Sequence, residues 1–345
     1  MSFRQWLNAG TVILIVIILV LSRHELYAAW QLLAQVNLWI FLLVIPCQFM
    51  SYYSAGATIF SYLRAKGDLQ NVRSLETARM ALELNFVNHV LPTGGVSGAS
   101  YMTWRLGKLG VSSGRATLAQ VVRFGVTFAA FLTLLLIAVI LITIDGNINR
   151  LTILVSSSLA SGIIFGSIVV AYVIGSKSRL HAFSRFLDRV INGTARRFMR
   201  QREHLIKPTV ITTFFEELHE DYLTLKDDPR ILLKPYLWGL SFNLFEVSLF
   251  VITFLALGSF VNPAPVLIAV GIASFLSIFL VTPGGAGGYE ALMILFLSSA
   301  GVSPEVAVAG VLLARVTLIM LTIVSGYVFY QQALRKYDGK LPNHR

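Results

Sequence analysis

The feature that most constrains this chain is a series of apolar stretches long enough to cross a lipid bilayer. A helix needs about 20 apolar residues to span a hydrocarbon core of about 30 Å. The 345-residue chain is 56% hydrophobic and only 13% charged, whereas an average soluble domain carries roughly 25% charged residues. Backbone polar groups find no water in lipid, so such stretches fold as helices. The sequence therefore predicts an all-α polytopic membrane protein.

Six of these stretches are predicted to be full transmembrane spans. They lie at about 6–22, 36–60, 117–144, 151–175, 235–257 and 305–330. The first stretch resembles a signal peptide, but no convincing cleavage site follows it. We therefore interpret it as an uncleaved first span.

Two glycine-rich breaks interrupt the remaining apolar sequence, and they match each other. They read LPTGGVSG at 91–98 and VTPGGAGG at 281–288. Pro and Gly are poor helix residues, so each break should end one helix and start another. At 1.5 Å per residue, three of the four flanking arms are too short to cross the bilayer. We therefore predict re-entrant hairpins at 80–104 and 264–299 rather than pairs of spans.

Lysine and arginine residues are strongly biased to one side of this topology. Most of the 28 basic residues fall in segments 61–79, 104–116 and 176–234 and in the C-terminal tail. The positive-inside rule then predicts that both termini are cytoplasmic. The same distribution accounts for the net charge of +11 without a nucleic-acid partner.

The order of parts indicates an inverted-topology repeat, an architecture that many secondary transporters use. Residues 1–148 form the first repeat, with three spans and one hairpin, and residues 149–345 form the second. A chance match between two glycine-rich loops is the alternative.

The segment 176–234 is an insertion in the second repeat. Its first part is a basic amphipathic helix expected on the cytoplasmic leaflet, and its second part is either amphipathic or a solvated connector.

Charged residues inside spans are costly in lipid, which makes them candidates for function. Arg315, Glu246 and Glu290 are predicted at similar depth, whereas Arg123 lies nearer the cytoplasm. Arg315 either forms a structural ion pair with Glu290 or Glu246, or binds substrate, and the two roles are compatible. No catalytic residue, metal ligand or cofactor site is predicted.

The helix after each break offers free N–H groups and a partial positive charge at its N-terminus. Phosphate groups bind readily at such a terminus. Two of these termini, entering from opposite faces, would form a site for an anionic headgroup. The predicted substrate-binding residues are Thr93, Gly94, Gly95, Ser97, Gly98, Arg123, Glu246, Gly284, Gly285, Gly287, Gly288, Glu290 and Arg315.

Other polar residues of the first hairpin have less specific roles. Asn85 and Asn88 either bind substrate or form helix–helix hydrogen bonds, which are common in lipid. His89 is interpreted as a structural histidine. Glu83 is placed near the cytoplasmic mouth, where it could simply be solvated.

The paired motifs resemble those of the lysylphosphatidylglycerol synthase transmembrane family, also described as flippase-like membrane proteins. The resemblance covers nearly the whole chain, and it rests on Leu84-Asn85, 91–98, Tyr101 to Leu106, 282–291 and Arg315. It implies a bacterial or archaeal plasma membrane and lipid translocation or a related lipid-handling role. Two-domain members carry a soluble C-terminal aminoacyl-transferase domain. This chain stops soon after the last predicted span, so lysyl transfer to lipid is not expected.

These features are compatible with three classes of function. The leading hypothesis is a lipid transporter that moves an anionic or glycosylated headgroup without ATP hydrolysis, since no Walker motif occurs. Its predicted partners are membrane lipids, either anionic phospholipids or polyprenyl lipids and glycolipids, and a homo-oligomer or a partner enzyme stays open. The alternative is a membrane scaffold or regulator that binds anionic lipid or a partner. A membrane-embedded headgroup enzyme is third, because no nucleophile–base pair or metal-ligand spacing supports it.

Overall fold

The structure is a computed structural model that describes residues 30–90, 96–144, 150–176, 227–277 and 287–337, with a few isolated positions elsewhere. Within these ranges the chain forms ten α-helices and no strand. The prediction of an all-α membrane protein is therefore confirmed. Nearly all of the predicted span 6–22 and most of the insertion 176–234 lie outside the described residues.

Five helices belong to the first half of the chain. They are α1 (Leu38–Phe41), α2 (Val44–Ala65), α3 (Ser74–Val90), α4 (Val96–Gly107) and α5 (Ser113–Ile144). Asn37 caps α1, since its side-chain oxygen accepts hydrogen bonds from the backbone N–H groups of Trp39 and Ile40. The arm α3 begins six residues before the predicted position 80. Glu76 in its first turn contacts Arg105 on the other arm, which supports this extra helical length.

Five more helices and a 3-10 turn follow in the second half. They are α6 (Arg150–Ile174), the turn Pro229–Leu232, α7 (Leu233–Ala256), α8 (Pro263–Ser277), α9 (Gly288–Ser299) and α10 (Pro304–Tyr337). Pro263 and Pro304 each begin a helix, where the missing N–H costs nothing. The arm α8 is described as far as Ser277, and the predicted boundary at 281 lies outside the described residues.

Four helical segments in the described part are long and apolar enough to cross a membrane. They are Leu38–Ala65, Ser113–Thr143, Pro229–Ala256 and Pro304–Tyr337. Each overlaps one of the predicted spans. The helix α6 has a shorter apolar section, Ile153–Val169, and so do both arms of the second hairpin. The protein is thus a multi-pass membrane protein, while the total of six spans stays a prediction.

Helix packing joins the two halves of the chain in matching pairs. Within each predicted hairpin the two arms pack together, α3 on α4 and α8 on α9. Across the halves, α3 packs against α10 and α8 packs against α5, while α2 packs against α7. Under the predicted repeat these pairs of helices correspond to each other. The inverted repeat itself stays a prediction, because helix contacts do not define membrane sides.

Small residues allow the closest helix approaches. A Cβ atom on Gly326 in α10 would overlap Phe86 and lie 3.0 Å from the carbonyl oxygen of Leu82 in α3. A Cβ atom on Gly56 in α2 would lie 2.5 Å from the Cβ atom of Ala81 in α3. Glycine at these two positions therefore permits α3 to lie tightly between α2 and α10.

Candidate functional site

A buried ion pair lies where the second hairpin meets the last helix. Arg315 on α10 donates a hydrogen bond from Nε to Oε1 of Glu290 on α9, at 2.8 Å. Both residues are buried. The guanidinium group also lies over the ring of Tyr289, 4.1 Å from its centroid. Of the two predicted partners of Arg315, Glu290 is the one that bonds directly to it.

Glu290 has a second role as the N-terminal cap of α9. The backbone N–H of Gly287 donates to Oε2 of Glu290 at 2.7 Å. Gly287 has a φ of +84°, a conformation that favours glycine. Both carboxylate oxygens of Glu290 are therefore engaged, and this helix N-terminus already holds a negative group. An anionic ligand would compete with Glu290 at this point.

Glu246 on α7 lies close to the same arginine. Ser51 on α2 donates a hydrogen bond from Oγ to Oε1 of Glu246, at 2.5 Å. Glu246 also interacts electrostatically with Arg315. The structure thus brings together three of the four charged residues predicted for the site, and it adds Ser51, which the sequence analysis did not select.

Further polar side chains surround these groups. The hydroxyl groups of Tyr52 and Thr322 are hydrogen-bonded to each other, and Tyr52 lies within electrostatic reach of Arg315. We call the whole set the polar core, and it consists of Ser51, Tyr52, Glu246, Tyr289, Glu290, Arg315 and Thr322. Helices from both halves of the chain supply it, namely α2, α7, α9 and α10.

A cavity of about 210 Å³ adjoins the polar core. Glu246 reaches it from α7 and Ser274 from α8, and Ser274 is hydrogen-bonded to Tyr289. The amide nitrogen of Asn243, also in the cavity wall, donates to the carbonyl oxygens of Thr127 and Gly239. Aromatic rings form much of the remaining wall, from Phe124, Phe128, Phe131, Phe242 and Phe275. The cavity is therefore mostly apolar with a few polar groups, as is usual for small-molecule sites.

The first break is only partly described. Gly98 lies in α4, where a Cβ atom would overlap the side chain of Asn88 on α3. The hydroxyl of Ser97 lies 3.5 Å from the carbonyl oxygen of Val87. Gly98 therefore serves close packing between the two arms, and Asn88 lies at that contact. The predicted ligands Thr93, Gly94, Gly95, Gly284 and Gly285 lie outside the described residues.

The other polar residues on α3 have local partners. The Asn85 side chain donates to the carbonyl oxygen of Ala81 at 2.8 Å. The Nδ1 atom of His89 lies 2.8 Å from the carbonyl oxygen of Asn85. These contacts fit the structural interpretation of His89, and they place Asn85 in a bond within its own helix.

A second buried charge cluster was missed by the sequence analysis. Arg105 on α4 bonds through Nε to Glu83 at 3.1 Å and contacts Glu76 through Nη2, both on α3. Tyr101 donates to the same Glu83 at 3.0 Å. The interpretation of Glu83 as a solvated residue is therefore wrong, since it is only 2% exposed. Its spacing of seven from Glu76, which puts both on one helix face, was a usable signal.

Arg123 on α5 stands apart from both clusters. Its guanidinium group lies 4.6 Å from the ring centroid of Phe124, one of the residues in the cavity wall. Its Nε atom is buried and finds no hydrogen-bond partner in the described part of the chain. Within the same ranges, no three His, Cys, Asp or Glu side chains are grouped to hold a metal ion.

Comparison with known proteins gives one family. A search of curated proteins finds no match. A family model described as the lysylphosphatidylglycerol synthase TM region matches residues 6–326. The match covers both glycine-rich breaks and every residue of the polar core. The chain therefore belongs to the family of the lysylphosphatidylglycerol synthase transmembrane region.

Proposed function

We propose that this protein is a flippase-like lipid transporter that moves an anionic or glycosylated headgroup across the membrane without ATP hydrolysis. The observation that carries the proposal is the polar core, in which Arg315, Glu290 and Glu246 from the second half of the chain meet Ser51 and Tyr52 from the first half. Ionisable groups inside membrane spans are rare, and they mark substrate or ion pathways. Family membership supports a lipid as the cargo.

The location of the polar core fits a headgroup path. In transporters built from inverted repeats, the substrate site lies at the interface of the repeats and beside discontinuous helices. The α9 helix starts directly after the second break, and Glu290 and Tyr289 in its first turn both contact Arg315. The adjoining cavity gives the headgroup a place next to these groups while its acyl chains stay in the bilayer.

The charges in the site bear on the class of headgroup. Because Glu290 already neutralises Arg315, a phosphate group that binds this arginine must exchange with Glu290 or share the guanidinium group with it. A headgroup rich in hydroxyls needs no such exchange, since it can donate to Glu246 at the cavity wall. Arg123 offers a further cation beside the cavity. We therefore keep both the anionic and the glycosylated lipid classes in the proposal and let the transport assay decide.

The test is lipid translocation in sealed vesicles that contain the purified protein. Labelled lipids with phosphoglycerol, zwitterionic, glycosyl and polyprenyl-phosphate headgroups are compared for movement between leaflets. Arg315→Ala should stop the movement because it removes the cation at the centre of the polar core. Arg150→Ala is the matched control, since Arg150 is exposed at the start of α6.

The outcomes separate the proposed function from its alternatives. Selective movement of one headgroup class, lost in Arg315→Ala and kept in Arg150→Ala, supports the transporter and identifies its class of cargo. If folded and inserted wild-type protein moves none of these lipids, the transporter is refuted. A scaffold or regulator that binds anionic lipid or a partner then becomes the better interpretation.

A further inference from the structure

We propose that Glu246 binds and releases a proton during each transport cycle, so that a proton gradient drives the lipid. This inference rests on the proposed function and supplies its driving force. It comes from the unequal number of acidic and basic groups in the polar core and from the position of Glu246 between that core and the cavity.

The charges in the polar core do not balance. Two carboxyl groups, Glu246 and Glu290, share one guanidinium group, Arg315. An unpaired charge in an apolar interior is costly, and such sites commonly bind a proton instead. A proton on one of the two carboxyl groups makes the cluster neutral.

Glu290 is poorly placed to carry that proton. One of its oxygens accepts from Arg315 at 2.8 Å, and the other accepts from the N–H of Gly287 at 2.7 Å. Both oxygens of Glu290 are therefore occupied as hydrogen-bond acceptors, and neither is left to hold a proton.

Glu246 has fewer donors around its carboxyl group than Glu290 has, and it borders the cavity. Its one hydrogen bond in the described part of the chain comes from the neutral hydroxyl of Ser51, at 2.5 Å. Glu246 is partly exposed, and it forms part of the cavity wall. Its carboxyl group can therefore exchange a proton with whatever fills the cavity, whereas Glu290 is enclosed by its donors.

In the described part of the chain, the polar and charged groups that face Glu246 come from three helices. The α2 helix contributes Ser51 and Tyr52, α10 contributes Arg315, and α9 contributes Tyr289. The residues of α5 and α8 in the cavity wall carry no ionisable side chain. Arg315 is thus the one permanently charged group in this set, and it interacts with both carboxyl groups.

This arrangement links the proton to the backbone at the second break. When Glu246 loses its proton, its negative charge attracts Arg315 more strongly and weakens the hold of Glu290. Glu290 in turn caps α9 through Gly287. The proton that enters from one side of the membrane binds the Glu246 carboxylate and leaves to the other side, so one charge crosses for each proton carried.

The experiment imposes a pH gradient on sealed vesicles that contain the full-length protein and a labelled lipid of the class that it moves. For one proton per lipid, the gradient can sustain roughly a tenfold leaflet asymmetry per pH unit. We expect the direction of net movement in the wild type to reverse when the gradient is reversed. Glu246→Gln should lose the response to the pH gradient, whatever rate of movement down the lipid gradient remains.

Two further variants complete the experiment. Glu305→Gln is the matched control, because Glu305 is an exposed residue in the first turn of α10 and should keep the full response. Ser51→Ala removes the hydrogen bond that Ser51 donates to Glu246 and should shift the pH at which transport is half-maximal. It serves as the second test if Glu246→Gln does not fold.

Each result decides the proposal. Wild-type movement that ignores the pH gradient overturns proton coupling and leaves the transporter standing. A response that persists in folded Glu246→Gln, or that follows a sodium gradient instead, also overturns it. If the wild type moves no lipid under any gradient, the proposed function fails and proton coupling fails with it.

Discussion

Removing Arg315 should destabilise the protein much more than removing the charge of its partner Glu290. Arg315→Met leaves two carboxyl groups, Glu290 and Glu246, without the cation that both face. Glu290→Gln leaves Arg315 beside Glu246, so one cation and one carboxyl group remain. Substituting Arg315 and substituting Glu290 therefore leave different net charges in the polar core.

The magnitudes follow from burial. Breaking a buried pair by removing one partner costs about 3–5 kcal/mol, and we expect this range for Arg315→Met. Glu290→Gln keeps an acceptor oxygen and a second charge near Arg315, so its cost should be closer to that of one hydrogen bond, about 1–2 kcal/mol. The double variant should cost less than the sum of the two by about 1–3 kcal/mol, because the residues are in contact.

The assay is reversible unfolding in detergent micelles, with denaturant midpoints for the two single variants and the double variant. Arg150→Met, at an exposed arginine, should have little effect and controls for the substitution itself. Equal costs for Arg315→Met and Glu290→Gln, or a larger cost for the second, would refute the charge argument. Strict additivity in the double variant would refute the ion pair.

Three further predictions concern the first hairpin, and thermal unfolding in detergent checks all of them. Gly98→Ala should lower the free energy of unfolding by about 1 kcal/mol because the new Cβ atom overlaps Asn88. Adding Asn88→Ala should restore most of this loss, and no recovery would mean that the two arms do not meet there. Gly326→Ala should cost more, about 2–3 kcal/mol, because its neighbours are a Cβ atom and a backbone carbonyl that cannot rotate away, and an unchanged midpoint would contradict this packing. Glu83→Ala should cost about 3–5 kcal/mol by leaving the buried Arg105 with one carboxylate fewer, whereas a neutral result would mean that this pair is solvated.

The sequence predicted the helical segments because their signals are local. About 20 consecutive apolar residues specify a membrane helix wherever they occur. Proline and glycine end a helix through their own backbone geometry. Four predicted spans and the arms beside both breaks accordingly appear as helices, with boundaries shifted by a few residues. The shift at α3 has a cause outside the segment, since Glu76 contacts Arg105 on another helix.

Side-chain partners were harder to predict because they depend on distant parts of the chain. The sequence limited the partner of Arg315 to Glu290 or Glu246, since charges inside spans are few and need neutralisation. It gave no reason to select Ser51, which lies 195 residues from Glu246. Arg105 was counted among cytoplasmic charges, although it is only 2% exposed. A charge near a span end can face solvent or a neighbouring helix, and composition does not distinguish the two.

The sequence by itself therefore determined an all-helical membrane protein with two matched breaks and a small set of buried charges. These properties follow from the free-energy cost of exposing polar backbone groups and charges to lipid. That cost depends on the sequence of each segment and not on its tertiary partners. Only the tertiary structure decided that Glu290 bonds to Arg315 while Glu246 bonds to Ser51 and borders the cavity. That choice depends on how α2, α7, α9 and α10 pack, because a hydrogen bond requires two groups within about 3 Å of each other.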